Sequence, residues 1–517
     1  MKKRILILSI ILIFRLFSFG QTADDFVKSG MVKYEKKDYS GAIIDYNKAI
    51  KKNPYNSKAF FNRGNAKADL QDIDGAIDDF NKALEINPID ENILINRANV
   101  KADMEDYKGA IIDLNRALSI NPYNELIYLG KIIPLVRLNM IDAAIKSANK
   151  ALELNPKNAK VYLFRGYLYI NIRYFQLAIE NLEKAIEINP NYEEAYCSLG
   201  VLKYRENKYL ESITYLDNLD KAIAINSNYL QSYIYKAKSK MLLSDSKGAI
   251  DVIDKAIEID PNFMEFYLTK ANVFERLGDY ESAKKVFDKA IDINPKNSDM
   301  YVQRGFLILN QFNNFTGGIK DYSRAIKINP RKAEYYEKRG IAKFMIFKYK
   351  KALSDFNKVI ELDENALNAY YYRAQINNEI GNYQGAIKDV NYLIQQKMFR
   401  ANNSTMGLYV CRGIAKLNLM NYDEAIADFN IDIQINPLNF VAYRYRGDSK
   451  AGLKNFNEAI ADYNKAIELN PNYSYSYEVR GRAKLRLGLQ KDGLLDLSKA
   501  KELKENGIEN LIKKHYK

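Results

Sequence analysis

The sequence contains no tryptophan, one histidine (His515) and only two cysteines, Cys197 and Cys411, far apart in 517 residues. A lone histidine three positions from the end leaves no imidazole for a Ser-His-Asp or Cys-His arrangement elsewhere. Two isolated cysteines exclude a zinc site of ordinary spacing and are too few for a disulfide framework. Both read as small packing residues. No GxxxxGK[ST] loop occurs, nor a GxGxxG after a strand, so nucleotide-binding fingerprints are missing. Abundant Asp and Glu recur at surface or repeat-specific positions rather than as an isolated pair. The expectation is a chain with no catalytic residues, no cofactor and no metal.

Helix breakers are scarce too: 25 glycines and 11 prolines. No stretch alternates Val, Ile and Thr as a sheet would require. An Ala/Leu/Ile/Lys/Glu/Asn-rich texture favours helix throughout. Long apolar runs are confined to the start, where "MKKR" precedes "ILILSIILIF" (5–14) and "SFG" (18–20). That apolar core is shorter than the ~18–20 residues of a membrane span, and Arg15 interrupts it. Residues 1–20 therefore read as a signal peptide cleaved between Gly20 and Gln21, with the mature chain in the periplasm or cell envelope. The alternative is an uncleaved anchor over 5–20, the one route to membrane contact.

The net charge is +14, and residues 1–20 account for four cations and no acids, leaving +10 after cleavage. Residues 479–517 hold eleven Lys/Arg against five Asp/Glu. That excess suits a solvated capping element better than an anionic partner, and 508–517 reads as a basic tail or partial capping helix.

What is present is a repeat. Pro54, Pro88, Pro122, Pro156 and Pro190 are spaced by 34, and of all eleven prolines only Pro134 falls inside a helical segment. Each unit has two short apolar-periodic helices and a turn that stops the second. With the proline at position 32, position 4 is aromatic in thirteen of fourteen units, and position 8 is Gly or Ala in thirteen. Positions 20 and 27 are each Ala in eleven. Small holes facing large knobs at 4 and 24 describe two closely packed antiparallel helices.

Those residues, as in "FVAYRYRGDSKAGLKNFNEAIADYNKAIELNPNY" (440–473), resemble the tetratricopeptide repeat. The resemblance covers 23–507 as fourteen units: 1–11 over 23–394, a lengthened loop at 395–405, and 12–14 over 406–507. It implies an all-α, right-handed superhelical solenoid of antiparallel helix pairs, serving as a non-catalytic scaffold for a protein or peptide partner. Insertions of three, one and five residues interrupt the period. The first, in "YLDNLDKA" (215–222), is short enough for a helix to absorb with a bulge. The Asn/Ser/Thr-rich 395–407 reads as a soft loop.

Position 7 departs from the family pattern. It is Arg in nine units, and position 23 is then Asp in eight: Arg63/Asp79, Arg97/Asp113, Arg304/Asp321, Arg339/Asp355, Arg373/Asp389, Arg412/Asp428, Arg446/Asp462 and Arg480/Asp496. Arg165 faces Asn181. Positions 7 and 23 sit at similar heights in an antiparallel pair, so a guanidinium–carboxylate fork between helices is expected. Spacing leaves open whether pairs form within or between units; Asp45, with Ser29 at its own position 7, is within reach of Arg63. Arginines so used are structural, which argues against nucleic acid as the partner.

The partner surface is then the stripe at positions 2, 5, 9, 12 and 13. It carries Ile133 and Val136 in unit 4, Tyr167 and Ile170 in unit 5, and Val201 and Tyr204 in unit 6. Units 9 and 10 repeat the apolar choice with Phe306, Leu309, Ile341 and Phe344. These residues either receive an apolar partner segment or pack on one another across a narrow groove.

Overall fold

The computed structural model describes residues 22–205, 212–396 and 407–506, with side chains undescribed at 203–205, 212–215 and 505–506. Gly20, Gln21, nearly all of the 395–405 insertion and the 508–517 tail lie outside the described residues. Among those described there are 28 helices and no strand, pairing as fourteen antiparallel units. They form two compact units that divide between Ile259 and Asp260, seven helix pairs in each.

Repeat 2 shows how the sequence builds a pair. Asn56 caps the first helix, Ser57–Asp69, by accepting from the Ala59 amide at 3.0 Å. Gln71 then turns the chain with φ of 64°, and the Gln71 and Asp72 amides close on the Ala68 and Lys67 carbonyls. Asp72 caps the second helix, Ile73–Ile86, at the Gly75 amide (3.2 Å). The helix stops at Asn87, before Pro88. The same left-handed turn residue recurs at position 15 in the described turns, as Lys37, Arg173, Met420 or Gly488 among others, and one residue later, at Asn313, in repeat 9. Satisfying the orphaned carbonyls outweighs the steric cost of positive φ at a non-glycine residue.

The small-residue positions work as holes. A Cβ built on Gly447 would lie 2.5 Å from the Tyr463 ring, and one on Gly413 2.6 Å from Phe429. Glycine at position 8 thus admits the position-24 ring of the facing helix, and Ala42, Ala76 and Ala110 at position 20 are fully buried beside it.

The insertions are handled differently from one another. In repeat 9 the first helix, Ser298–Phe312, ends on a wider turn in which both Asn313 and Asn314 amides reach the Ile308 carbonyl. In repeat 6 the expected bulge does not form. The helix Ser212–Ile225 keeps the usual 14 residues, with Leu219 and Ala222 buried in ordinary register, so the three extra residues fall ahead of it. A bulge inside the helix would rotate its buried face, whereas an insertion outside it leaves Leu219 and Ala222 in register.

Candidate functional site: an arginine ladder and a groove

Each position-7 arginine is held on several sides. Arg63 donates from Nε and Nη2 to the two carboxylate oxygens of Asp79, at 2.8 and 2.6 Å. The same two-pronged contact joins Arg97 to Asp113, Arg304 to Asp321, Arg339 to Asp355 and Arg373 to Asp389. It recurs at Arg412 with Asp428, Arg446 with Asp462 and Arg480 with Asp496. Arg165 reaches the Asn181 carbonyl oxygen at 2.7 Å. These ion pairs all lie within one repeat. The remaining Nη1 donates backwards to position 25 of the preceding repeat: Arg97 to Asn81 (2.7 Å), Arg304 to Asp288 (2.7 Å), Arg446 to Asn430 (2.7 Å). In the eight repeats with both residues the ladder is therefore an ion pair within the repeat and a hydrogen bond to the repeat before, which at Arg304 and Asp288 is a second ion pair. Eight of these arginines also lie over an aromatic ring three residues earlier, as Arg373 over Tyr370 at 5.1 Å.

Two members of this network escaped the sequence reading. Lysine at position 11 adds a second cation to the buried carboxylate: Lys67 to Asp79 (2.9 Å), Lys101 to Asp113 (2.8 Å), Lys343 to Asp355 (2.6 Å). Its signal was its recurrence in repeats with Asp at position 23. The recurrent Asn at position 25 was the other. Asp45 corrects one expectation: it takes Ser29 Oγ (2.7 Å), Lys33 (2.7 Å) and Lys48 (3.1 Å), not Arg63, which turns to its own Asp79. The shorter path within the repeat wins because Ser29 and Lys33 already fill Asp45. Burial pushes the Asp45 carboxyl up, but hydrogen bonds from Lys33, Ser29 and Lys48 outweigh it and hold the group at about 2.

The groove residues divide by position. At position 9, Ile133 (48% exposed), Tyr167 (37%) and Phe306 (49%) project to the surface. Val201 and Ile341 at the same position are half-buried and pack on core clusters. At position 12, Val136, Ile170 and Phe344 pack beneath, the last against Tyr349 and Tyr372 with ring centroids 5.8 and 5.7 Å away. Leu309 is half-buried beside Gly318. The side chain of Tyr204 lies outside the described set. Tyr167 shares a hydrogen bond with Ser198 Oγ (2.9 Å), linking repeats 5 and 6, and Lys338 sits 5.8 Å above the Phe306 ring.

Two cavities open along the first helices of the N-terminal compact unit. One of about 740 Å³ spans repeats 3 to 5, with amides Asn92, Asn96 and Asn99 on one side and Leu126, Leu129, Ile133 and Phe164 on the other. Asp103, Glu105, Arg137 and Lys160 complete its lining. The second, about 540 Å³, is lined by Tyr167, Ile170, Asn171, Arg173 and Phe175. No group of three or more metal-ligating side chains occurs among the described residues. Both cysteines are buried, and burial pushes the Cys411 thiol up to about 12.

Antiparallel helix pairs repeated along the chain, with small-residue holes between them, define an all-α helical-repeat fold. Family models for the tetratricopeptide repeat match residues 57–90, 440–473, 175–207, 92–124 and 135–158, and the chain is a tetratricopeptide-repeat protein. Residues 200–304 also match the model of the N-terminal acetyltransferase A auxiliary subunit. No curated protein matches the sequence. Among solved structures the chain is similar to the yeast Tom70 structure, with 19% identity over 93% of this chain and 99% of that one, at a TM-score of 0.35. The hetero-tetramer Cut9-Hcn1 of APC/C gives 16% identity over 89% and 96%, at a TM-score of 0.37. A tetratricopeptide repeat protein from Parabacteroides merdae gives 21% over 49% and 98%, at 0.35.

Proposed function

We propose that the chain is a non-catalytic scaffold that receives partner polypeptide in the groove along its first helices, after export to the cell envelope. The observation that carries this reading is the 740 Å³ cavity across repeats 3–5, where apolar side chains and three amides face a common space. An apolar wall beside side-chain amides suits a peptide, whose side chains need burial and whose backbone needs hydrogen bonds. Nucleic acid is disfavoured, because the arginines that first suggest it are consumed by Asp and Asn partners. Membrane contact is assigned only to residues 5–20; no described helix is long and apolar enough to cross a membrane. A photo-crosslinker placed at Ile133 should capture partner protein, while one at Ile112, 67% exposed on a second helix, should not. Equal capture at both positions would sink the groove reading. Export is tested separately, by whether the mature N-terminus is Gln21.

A second reading is an adaptor that recruits an enzyme, tethered or not. The match of residues 200–304 to an acetyltransferase auxiliary subunit favours it. Under this reading a catalytic subunit co-purifies with the chain and is lost when that segment is altered.

A further inference from the structure

Repeat 4 breaks two rules that the other repeats keep. Pro134 stands inside the helix Glu125–Arg137, which nevertheless continues, the Leu138 amide bonding to the Pro134 carbonyl at 3.0 Å. Proline has no N–H, so the carbonyl four residues earlier loses its intrahelical donor. That carbonyl belongs to Gly130. Repeat 4 has Ile132 at position 8, and its glycine lies two residues earlier, at position 6. Gly130 and Pro134 both line the 740 Å³ cavity. A Cβ on Gly130 would lie 3.3 Å from the buried Leu114 and 4.0 Å from Asn99 Oδ1, so the glycine lets this turn of helix pack closely on the preceding repeat at the edge of the cavity.

Building on the groove reading above, we propose that Gly130 and Pro134 form a main-chain acceptor site for an extended segment of a partner polypeptide. The Gly130 carbonyl accepts a backbone N–H of that segment, and an apolar side chain of the segment lodges against Leu126, Leu129, Ile133 and Phe164. Two features select an extended peptide. Asp103 and Glu105 are balanced by Arg137 and Lys160 around the cavity, so a neutral polar backbone fits better than a charged group. The Asn92 and Asn99 side-chain amides, a carbonyl without its helical donor and an apolar wall match the alternation of N–H, C=O and side chain along an extended chain. The proline costs helix stability, and an acceptor in the groove is what the repeat gains from it.

The test uses a 12-residue peptide selected from a displayed library on the full chain. Pro134→Ala restores the helix N–H and should raise the thermal midpoint while weakening this peptide about tenfold. Replacing one peptide amide by an ester should weaken binding to the parent chain by a similar factor and cost nothing further against Pro134→Ala. Undiminished affinity for Pro134→Ala, with binding abolished by Ile133→Asp, would overturn the acceptor and leave the groove standing. Indifference to Ile133→Asp, or a library that yields no binder, would overturn both.

Discussion

Arg412 donates to Asn391 at 2.6 Å across twenty-one residues of chain, where the equivalent bond from Arg373 to Asn357 spans sixteen. The helices on either side of the five-residue insertion between repeats 11 and 12 therefore keep the spacing of their neighbours. Arg412 also grips Asp428 from Nε and Nη2 at 2.9 and 2.5 Å. One side chain thus fixes the tilt of its own pair and its seat on the pair before.

Cleavage at the insertion should test this seating. Its Asn/Ser/Thr-rich composition predicts that limited proteolysis cuts first between 395 and 407. The two fragments should stay together on a sizing column and separate in denaturant. A first cut elsewhere, read by mass spectrometry, would count against the assignment.

The close approach at the position-8 holes gives a second expectation. Gly447→Ala places a methyl 2.5 Å from the Tyr463 ring, which also donates to Asp448 at 2.9 Å and has little room to retreat. A loss of roughly 1–3 kcal/mol is expected from overpacking. Gly488→Ala meets no nearby atom but must hold φ at 79°, a cost of roughly 1 kcal/mol. Urea denaturation of each variant separates the two.

Two buried aspartates should respond to pH with opposite sign. Asp45 is held at about 2, below its ordinary 3.8, so its contribution is complete above about pH 4 and is lost as pH falls towards 2. Burial raises Asp432, against hydrogen bonds from Asn439 and the Gly407 amide, so its contribution is present at low pH and lost as pH rises past its ordinary range. Asp45→Asn should flatten the acid limb of the stability profile between pH 4 and 2. Asp432→Asn should stabilise at pH 7 and change little at pH 3.

The contrast between Asp79 and Asp45 shows what was legible in the sequence. Repeat boundaries, the holes at 8, 20 and 27, and the Arg63–Asp79 pairing follow from a strict period, because every copy of a residue meets the same surroundings. Asp45 breaks the pattern at the first repeat, where Ser29 replaces arginine, and its true partner Lys33 lies one helical turn further on. Cooperation among three side chains is harder to read than a pair, since Lys at 11 and Asn at 25 look like ordinary solvated residues. The groove was half legible. The sequence left open whether these residues face a partner or pack on one another; Ile133 and Phe306 are exposed, while Val136 and Phe344 turn inward, because position 12 sits over the seam between neighbouring repeats. Nothing in the period foretold that Lys37 or Met420 would take the left-handed turn, for glycine is the usual signal and only some repeats supply it.

The central claim is that the buried arginine–aspartate fork specifies how the helices seat rather than adding net stability. Arg339 is a poor place to test it, because Lys343 also bonds Asp355 and would be left behind, with burial lowering its pKa. Repeat 11 is cleaner, since Asn377 replaces the lysine and lies 3.5 Å from Asp389. The decisive measurement is a double-mutant cycle there, read by hydrogen exchange in the helices Leu367–Glu379 and Tyr383–Gln395, because repeat arrays open locally. Arg373→Met alone should destabilise by roughly 3–5 kcal/mol, and adding Asp389→Leu should restore most of that loss. A double variant as unstable as the single one would contradict the account.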